Sequence, residues 1–401
     1  MKTKKITSIL LKPALVAAIL LSASLLFAYI QGVAVLFPVT GIGIAQTPGA
    51  AQAPVTEKSN ALNDTARFLA GLPVESEAVK PYIDKEFYPK YRAEIDKNWN
   101  ESFNLNRESI QKWRAENLSD DYSLSVFYPF SGPDILNPLA FYPNAKEIVM
   151  FGLEPTGGIP DLKKVKPAAV NQQLSLLLKA LNFSLDKAYF ITLDMGKTVK
   201  PSSINGISAI MVFFLARAGY DIIDMKEINI AKNGSAANGK TADKSAINGI
   251  EILFSEKDSK EVKRARYFTL NIVDDSKQVA GFDAYMRKYP ALTTVVKSAS
   301  YLMHWNNFTK IRRLVLDKSD SVIQDDTGIP YRIFKKSSEW EVTHFGRYHK
   351  PIAVFKTSYQ KELDEDNKRY SAAPIPFVYG YGYGYKDITY HLVLAKKLKK
   401  K

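Results

Sequence analysis

Residues 125–161 read SVFYPFSGPDILNPLAFYPNAKEIVMFGLEPTGGIPD. Two apolar runs, 125–130 and 147–153, flank a short segment that opens on Ser131-Gly132-Pro133-Asp134. Strand, turn, short helix and second strand in so few residues predict a parallel βαβ crossover. An acid follows each run, Asp134 after the first and Glu154 after the second. If the two strands are neighbours, both carboxylates lie on one edge of the sheet. There they can divide acid and base roles, as paired carboxylates do in glycoside hydrolysis. Asp134 also suits the start of the helix, where a carboxylate answers free N–H groups and the dipole.

Outward from this unit the chain alternates helical and extended patterns. Residues 61–117 keep helical steps at Tyr91-Ile95-Trp99 and Ile110-Trp113, which predict a helical preface covering the sheet. Residues 162–181 and 204–218 read as helices, the second ended by Gly219 as a C-cap. Residues 188–193 read as a strand between them. Runs at 221–230, 249–254 and 265–273 predict an antiparallel meander with a long polar hairpin loop at 232–248. Residues 282–289 predict a short helix closed by Pro290. Residues 292–305, LTTVVKSASYLMHW, and 308–316 predict two more. Short strands follow at 321–324, 340–348, 351–355 and 389–395, with a charged helix at 358–370. The fold class is α/β to α+β: a mixed sheet with an N-terminal βαβ unit, a later antiparallel meander and covering helices. Residues 61–395 read as one globular domain, with a division into lobes 61–219 and 220–395 as the alternative.

The N-terminus has a different character. A basic segment ends at Lys12, and no charged residue occurs from Pro13 to Thr56. This is the pattern of a secretory signal, with Ala51-Gln52-Ala53 and Gly43-Ile44-Ala45 as cleavage sites. The apolar stretch is longer than an ordinary signal core, so an uncleaved anchor contacting the membrane through residues 13–45 is the alternative. Either reading exports the rest of the chain. Residues 54–60 form a linker. Net charge is +14 over 401 residues, but four of the lysines precede residue 13 and five lie in the tail 396–401. The body is therefore only mildly basic, and no nucleic-acid partner is indicated. The absence of cysteine excludes disulfides, thiolate catalysis, cysteine metal sites and a lipid-modified cysteine.

Several motifs fall short of a known chemistry. Gly196-Lys197-Thr198 lacks the first glycine of a phosphate loop, because Ile191 stands there. Gly206-Ile207-Ser208-Ala209-Ile210 lacks the second glycine of a nucleophile elbow. His344 and His349 are spaced for neither a strand nor a helix zinc pair. No cofactor is indicated, and the metal question stays open. Asp325-Asp326 is stronger. It closes a strand and precedes Thr327-Gly328-Ile329-Pro330, so these carboxylates can bind a cation, serve as acid or base, or cap the turn. His304 and Arg312 are candidates to approach them. Tyr379, Tyr381, Tyr383 and Tyr385 alternate with glycine and form a candidate aromatic strip for a glycan.

The segments FYPFSGPD, FGLEPTGGIPDL, KSASYLMH and QDDTGIPYR together resemble a family of exported bacterial proteins to which no activity is assigned. The resemblance covers roughly residues 120–395. It implies export and a single domain, and it carries no catalytic role. Three functions follow as expectations. The first is a cell-envelope binding or structural protein, on a glycan or another envelope component. The second is an extracytoplasmic hydrolase using Asp134, Glu154, Asp325 or Asp326 with His304 and Arg312. The third is a membrane-anchored interaction protein. No feature of the chain indicates an oligomeric state.

Overall fold

A computed structural model describes residues 57–187, 204, 206–370, 372–379 and 391–398. The N-terminal segment, the strand expected at 188–193, Gly196-Lys197-Thr198, and Tyr381, Tyr383 and Tyr385 lie outside them. All described residues belong to one compact unit, 50–401. Among them no helix is long and apolar enough to cross a membrane.

Alternation along the central strands explains the architecture. In β1, Ser125–Tyr128, Val126 and Tyr128 face one core and Phe127 the other. In β2, Glu147–Gly152, Ile148 and Met150 face the first core, Val149 and Phe151 the second. A strand apolar on both faces has to be covered on both. On the first face lie α1 (Glu57–Leu69), α2 (Phe87–Asn98), α3 (Asn104–Asn117), α4 (Leu136–Phe141), α5 (Pro167–Lys187) and α6 (Ile207–Arg217). Among these, α6 is buried from Ile207 to Ala216, which accounts for its uninterrupted apolar sequence. On the second face lie α7 (Val279–Met286), α8 (Thr309–Lys318) and α9 (Tyr331–Lys335). The charged helix α10, Lys361–Tyr370, covers a smaller cluster of Tyr331, Tyr348, Leu363 and Val393.

The remaining strands are β3 (Tyr220–Ile230), β4 (Ala236–Asn238), β5 (Ile247–Glu256), β6 (Lys263–Thr269), β7 (Leu292–Val296), β8 (Ser319–Gln324), β9 (Trp340–Gly346) and β10 (His391–Lys397). The sheet is mixed, with ten strands in the order β4-β3-β5-β6-β2-β1-β7-β8-β10-β9. Its centre, β6-β2-β1-β7-β8, is parallel throughout. The meander β3, β5 and β6 is antiparallel, as expected, and β4 adds a fourth strand inside the hairpin loop. At the other edge β10 inserts antiparallel between β8 and β9. The chain runs from β1 to β2 and onward to one side, then returns to place β7 on the other side of β1. The carboxyl ends of β1 and β7 thus flank a topological switch point, the place where open α/β sheets hold ligands.

Two expected elements are corrected. Residues 292–305 are not a helix. Leu292–Val296 is strand β7, followed by 3-10 turns over Ala299–His304. A fully buried parallel strand is apolar without alternation and resembles a buried helix in sequence. The β-branched run Thr293 to Val296 was the distinguishing sign. Residues 351–355 are not a strand either, since Ala353–Ser358 is a 3-10 segment. The lysine tail is only partly a tail. Lys396 and Lys397 belong to β10, and the Lys397 ammonium donates to the carbonyls of Leu316 and Asp317.

Candidate active site

Three loops leave the carboxyl ends of β1, β7 and β8 and bring charged side chains together. After β1, Phe130 and Gly132 take positive φ, 59° and 54°. This doubles the chain back and carries Asp134 over the strand end. There Asp134 accepts hydrogen bonds from the Tyr128 hydroxyl (2.9 Å), the Asn137 amide N–H (3.3 Å) and the Asn137 side-chain nitrogen (2.7 Å). After β7 come Lys297 and Ser298, both buried, then Ser300 and Tyr301 with φ of 58° and 54°. Three of the four non-glycine residues at positive φ among the described residues are therefore in these two loops. Strain of this kind is tolerated where the surrounding structure holds a site in place.

The turn after β8 is held from several sides. Gln324 accepts from the Ile329 amide (2.9 Å) and donates to the Ile329 carbonyl (2.7 Å). Asp325 accepts from the Thr327 amide (2.9 Å) and from the Thr327 hydroxyl, and that hydroxyl oxygen in turn accepts the Ser298 N–H (2.8 Å). Asp326 accepts from the Tyr301 hydroxyl (2.7 Å), while its carbonyl takes the Gln360 amide (2.9 Å) and faces His304 Nε2 (3.1 Å).

The electrostatics follow from burial. Lys297 sits in the field of both Asp134 and Asp325. Desolvation lowers its amine from the ordinary lysine range, and the two carboxylates oppose that shift. Desolvation raises Asp134, against the pull of Lys297 and its hydrogen bonds. Asp325 and Asp326 form a tightly coupled pair, both raised by desolvation. Asp326 is raised further because ionising it places a second negative charge beside Asp325. Two carboxyls that interact this way lose their protons in two coupled steps. Desolvation lowers His304 to about 4, so its ring is neutral at pH 7.

Asp134, Asp325, Asp326 and His304, singled out from the sequence, therefore converge. Arg312 acts on His304 through its charge, which helps to lower the imidazole, while its Nη1 donates to the Met303 and Trp305 carbonyls, 2.8 and 2.7 Å away, and holds the 3-10 turn. Glu154 lies at the end of the adjacent strand β2, where Tyr267 donates to its carboxylate (3.2 Å) and to its carbonyl (3.1 Å). Tyr379 is buried, its hydroxyl donating to the Val296 carbonyl (3.1 Å) and its ring 5.8 Å from the Lys297 ammonium. It is part of the wall of this site and no surface platform. His344 pairs with the Tyr331 hydroxyl at 3.1 Å. Ser208, in the incomplete elbow, donates to the Gly158 carbonyl.

Lys297 and Ser298 were missed because the segment holding them was read as helix. The sign that could have found them is a lysine directly after a β-branched run. Among the described residues no group of three or more His, Asp or Glu side chains is placed to hold a metal ion. No family model matches this chain. Searches of curated proteins and of solved structures likewise find no match.

Proposed function

We propose that this chain is an exported enzyme that binds a small polar ligand at the carboxyl edge of β1, β7 and β8 and moves a proton on it, in a hydrolytic type of reaction. The observation that carries the reading is the convergence of Asp134, Lys297, Asp325 and Asp326 at the switch point of the sheet. Buried charges are costly to assemble without a function, and functional sites are where they gather. In this reading Asp326 delivers its proton to the leaving atom as that bond breaks, while a water molecule forms the new bond and gives up its proton to the Asp325 carboxylate. Lys297, in the field of both Asp134 and Asp325, balances the negative charge that develops. Tyr301 and the Thr327–Ser298 link keep the carboxyls from turning away.

Purified full-length chain incubated with a bacterial small-molecule extract tests the proposal, with substrate loss and product gain followed by mass spectrometry. The reading expects at least one compound converted by the wild type and not by Asp326→Asn or Lys297→Met. Identical profiles for all three proteins would overturn it.

A further inference from the structure

We infer that the ligand is a glycoside whose sugar hydroxyls are held by Ser298 and His391 on the two sides of Asp326, an inference that rests on the pocket proposed above. The strands set these three groups in a row. Sheet order places β8 between β7 and β10. Val296 belongs to the second core, and Ser298 follows with extended backbone (φ −113°, ψ 110°), so its side chain keeps to that face. Along β10, alternation from Ala395 of the same core carries Val393 and His391 to that face as well. Val393 pairs with Gln324 in the antiparallel ladder, so His391 stands two residues further on, level with Asp326. Tyr348 joins the two. Its ring meets the His391 imidazole, with centroids 5.5 Å apart. Its hydroxyl accepts from the Gln360 N–H (3.3 Å), and the Gln360 side chain donates to the Asp326 carbonyl (2.9 Å). Burial, and then the charge of Asp326, raise the Tyr348 phenol.

Both flanking groups are unpaired. The Ser298 hydroxyl is fully buried and has no hydrogen-bond partner among the described residues. The same holds for both ring nitrogens of His391, which is 6 % exposed. Buried polar atoms are rarely left so, and three of them in one row beside a carboxyl pair point to a ligand. Desolvation keeps the His391 imidazole neutral at pH 7, so it offers one donor and one acceptor, as the serine hydroxyl does. An uncharged ligand rich in hydroxyls answers that pattern, whereas an ionic group would find no counter-charge at either end. Two strand spacings separate Ser298 from His391, about 10 Å, which is the width of a sugar ring with a hydrogen bond on each side. The aromatic rings beside the row suit the C–H faces of a sugar. Tyr301 packs on Phe355 (5.4 Å) and Tyr348 stacks on Tyr359 (6.3 Å), and Tyr359 and Trp305 are exposed. On a glycoside, Asp326 protonates the glycosidic oxygen and the bond from that oxygen to the anomeric carbon breaks. Water bonds to the same carbon and gives its proton to Asp325.

The test incubates the full chain with para-nitrophenyl α- and β-glycosides of glucose, galactose, mannose, N-acetylglucosamine and N-acetylgalactosamine, and with solubilised bacterial cell-wall glycan. Release of nitrophenol or of new reducing ends is followed. Hydrolysis of at least one is expected, and it should be lost in Asp326→Asn. His391→Phe keeps a flat ring and removes both nitrogens, so it should raise KM about tenfold while lowering kcat less. Ser298→Ala removes only an unpaired hydroxyl, so the fold is kept, and KM should rise severalfold. Melting temperatures check that both variants fold. Hydrolysis of none of the glycosides, or an unchanged KM in either folded variant, would overturn the inference. If no glycoside is cut while the extract assay still yields a product, the ligand class is wrong and the pocket stands. If both are blank, the pocket reading falls with it.

Discussion

Replacing Lys297 by Met removes a cation that lies in the field of both Asp134 and Asp325. The methionine keeps the length and apolar stem of the side chain, so the cavity term is small. What is lost is charge balance. Removing one partner of a buried ion pair costs about 3–5 kcal/mol, because the remaining charge is left uncompensated. The carboxyls can escape that cost by taking up protons. For an aspartate that ionises near 3.9 when unfolded, neutralisation costs about 1.4 kcal/mol for each pH unit above that value. At pH 8 this escape is closed and the full loss applies. At pH 5 it costs only about 1.5 kcal/mol per carboxyl. The variant should therefore be destabilised by about 3–5 kcal/mol at pH 8 and by clearly less at pH 5. For a chain of this size 1 kcal/mol corresponds to roughly 1.5 °C in melting temperature. The expected shift is about 5–7 °C at pH 8. Scanning calorimetry at both pH values measures it. An equal shift at the two values, or none at pH 8, would refute the electrostatic link of Lys297 to Asp134 and Asp325.

Other consequences can be measured separately. His391 is wholly buried and held down to about 3 by desolvation, with His344 and His349 adding like charge. Its folded pKa lies below the unfolded value near 6.5, so the stability it permits is present above pH 6.5 and is lost as pH falls toward 3, by up to about 5 kcal/mol. Urea unfolding across that range should show a flatter acid limb for His391→Gln, and parallel curves would contradict this. Gly152→Ala places a methyl 2.4 Å from Glu154 Oε2 and 2.5 Å from the Tyr267 hydroxyl. A loss of about 1–3 kcal/mol by chemical denaturation is expected. Arg266 donates to Glu251 (2.7 Å), to the Tyr289 hydroxyl (2.9 Å) and to Glu147. Arg266→Met should cost about 3–5 kcal/mol by chemical denaturation, and an unchanged midpoint would contradict this. Export predicts that the mature chain, weighed intact after expression in a bacterium, begins after Ala53 or Ala45; an unprocessed mass would favour the retained anchor.

Much of the fold was legible because local rules and burial agreed. The β1–α4–β2 unit follows from two short apolar runs around a Gly-Pro turn, and the meander from alternating, β-branched strands with a polar hairpin between them. The order of the strands was not legible. Nothing local in Leu292–Val296 or His391–Lys397 says that one strand lies beside β1 and the other inserts between β8 and β9. That order depends on pairings between distant segments. The site was half legible for the same reason. Asp134, Asp325 and Asp326 stood out as acids closing strands. Lys297 was hidden, because a strand buried on both faces carries no period that separates it from a buried helix. Arg312 was legible as a neighbour of His304, whose imidazole its charge helps to lower, but not as the donor whose Nη1 binds two carbonyls of the preceding 3-10 turn.

Everything proposed about chemistry turns on whether Asp326 holds a proton near neutral pH. Carbon-13 NMR of the full chain, labelled at the aspartate side-chain carboxyls, measures this directly, with Asp326→Asn assigning the resonance. A carboxyl that titrates well above the ordinary aspartate range of about 4 is expected, its signal absent from the variant. A signal removed by Asp326→Asn that titrates at or below about 4 would leave Asp326 ionised at neutral pH and end its role as proton donor.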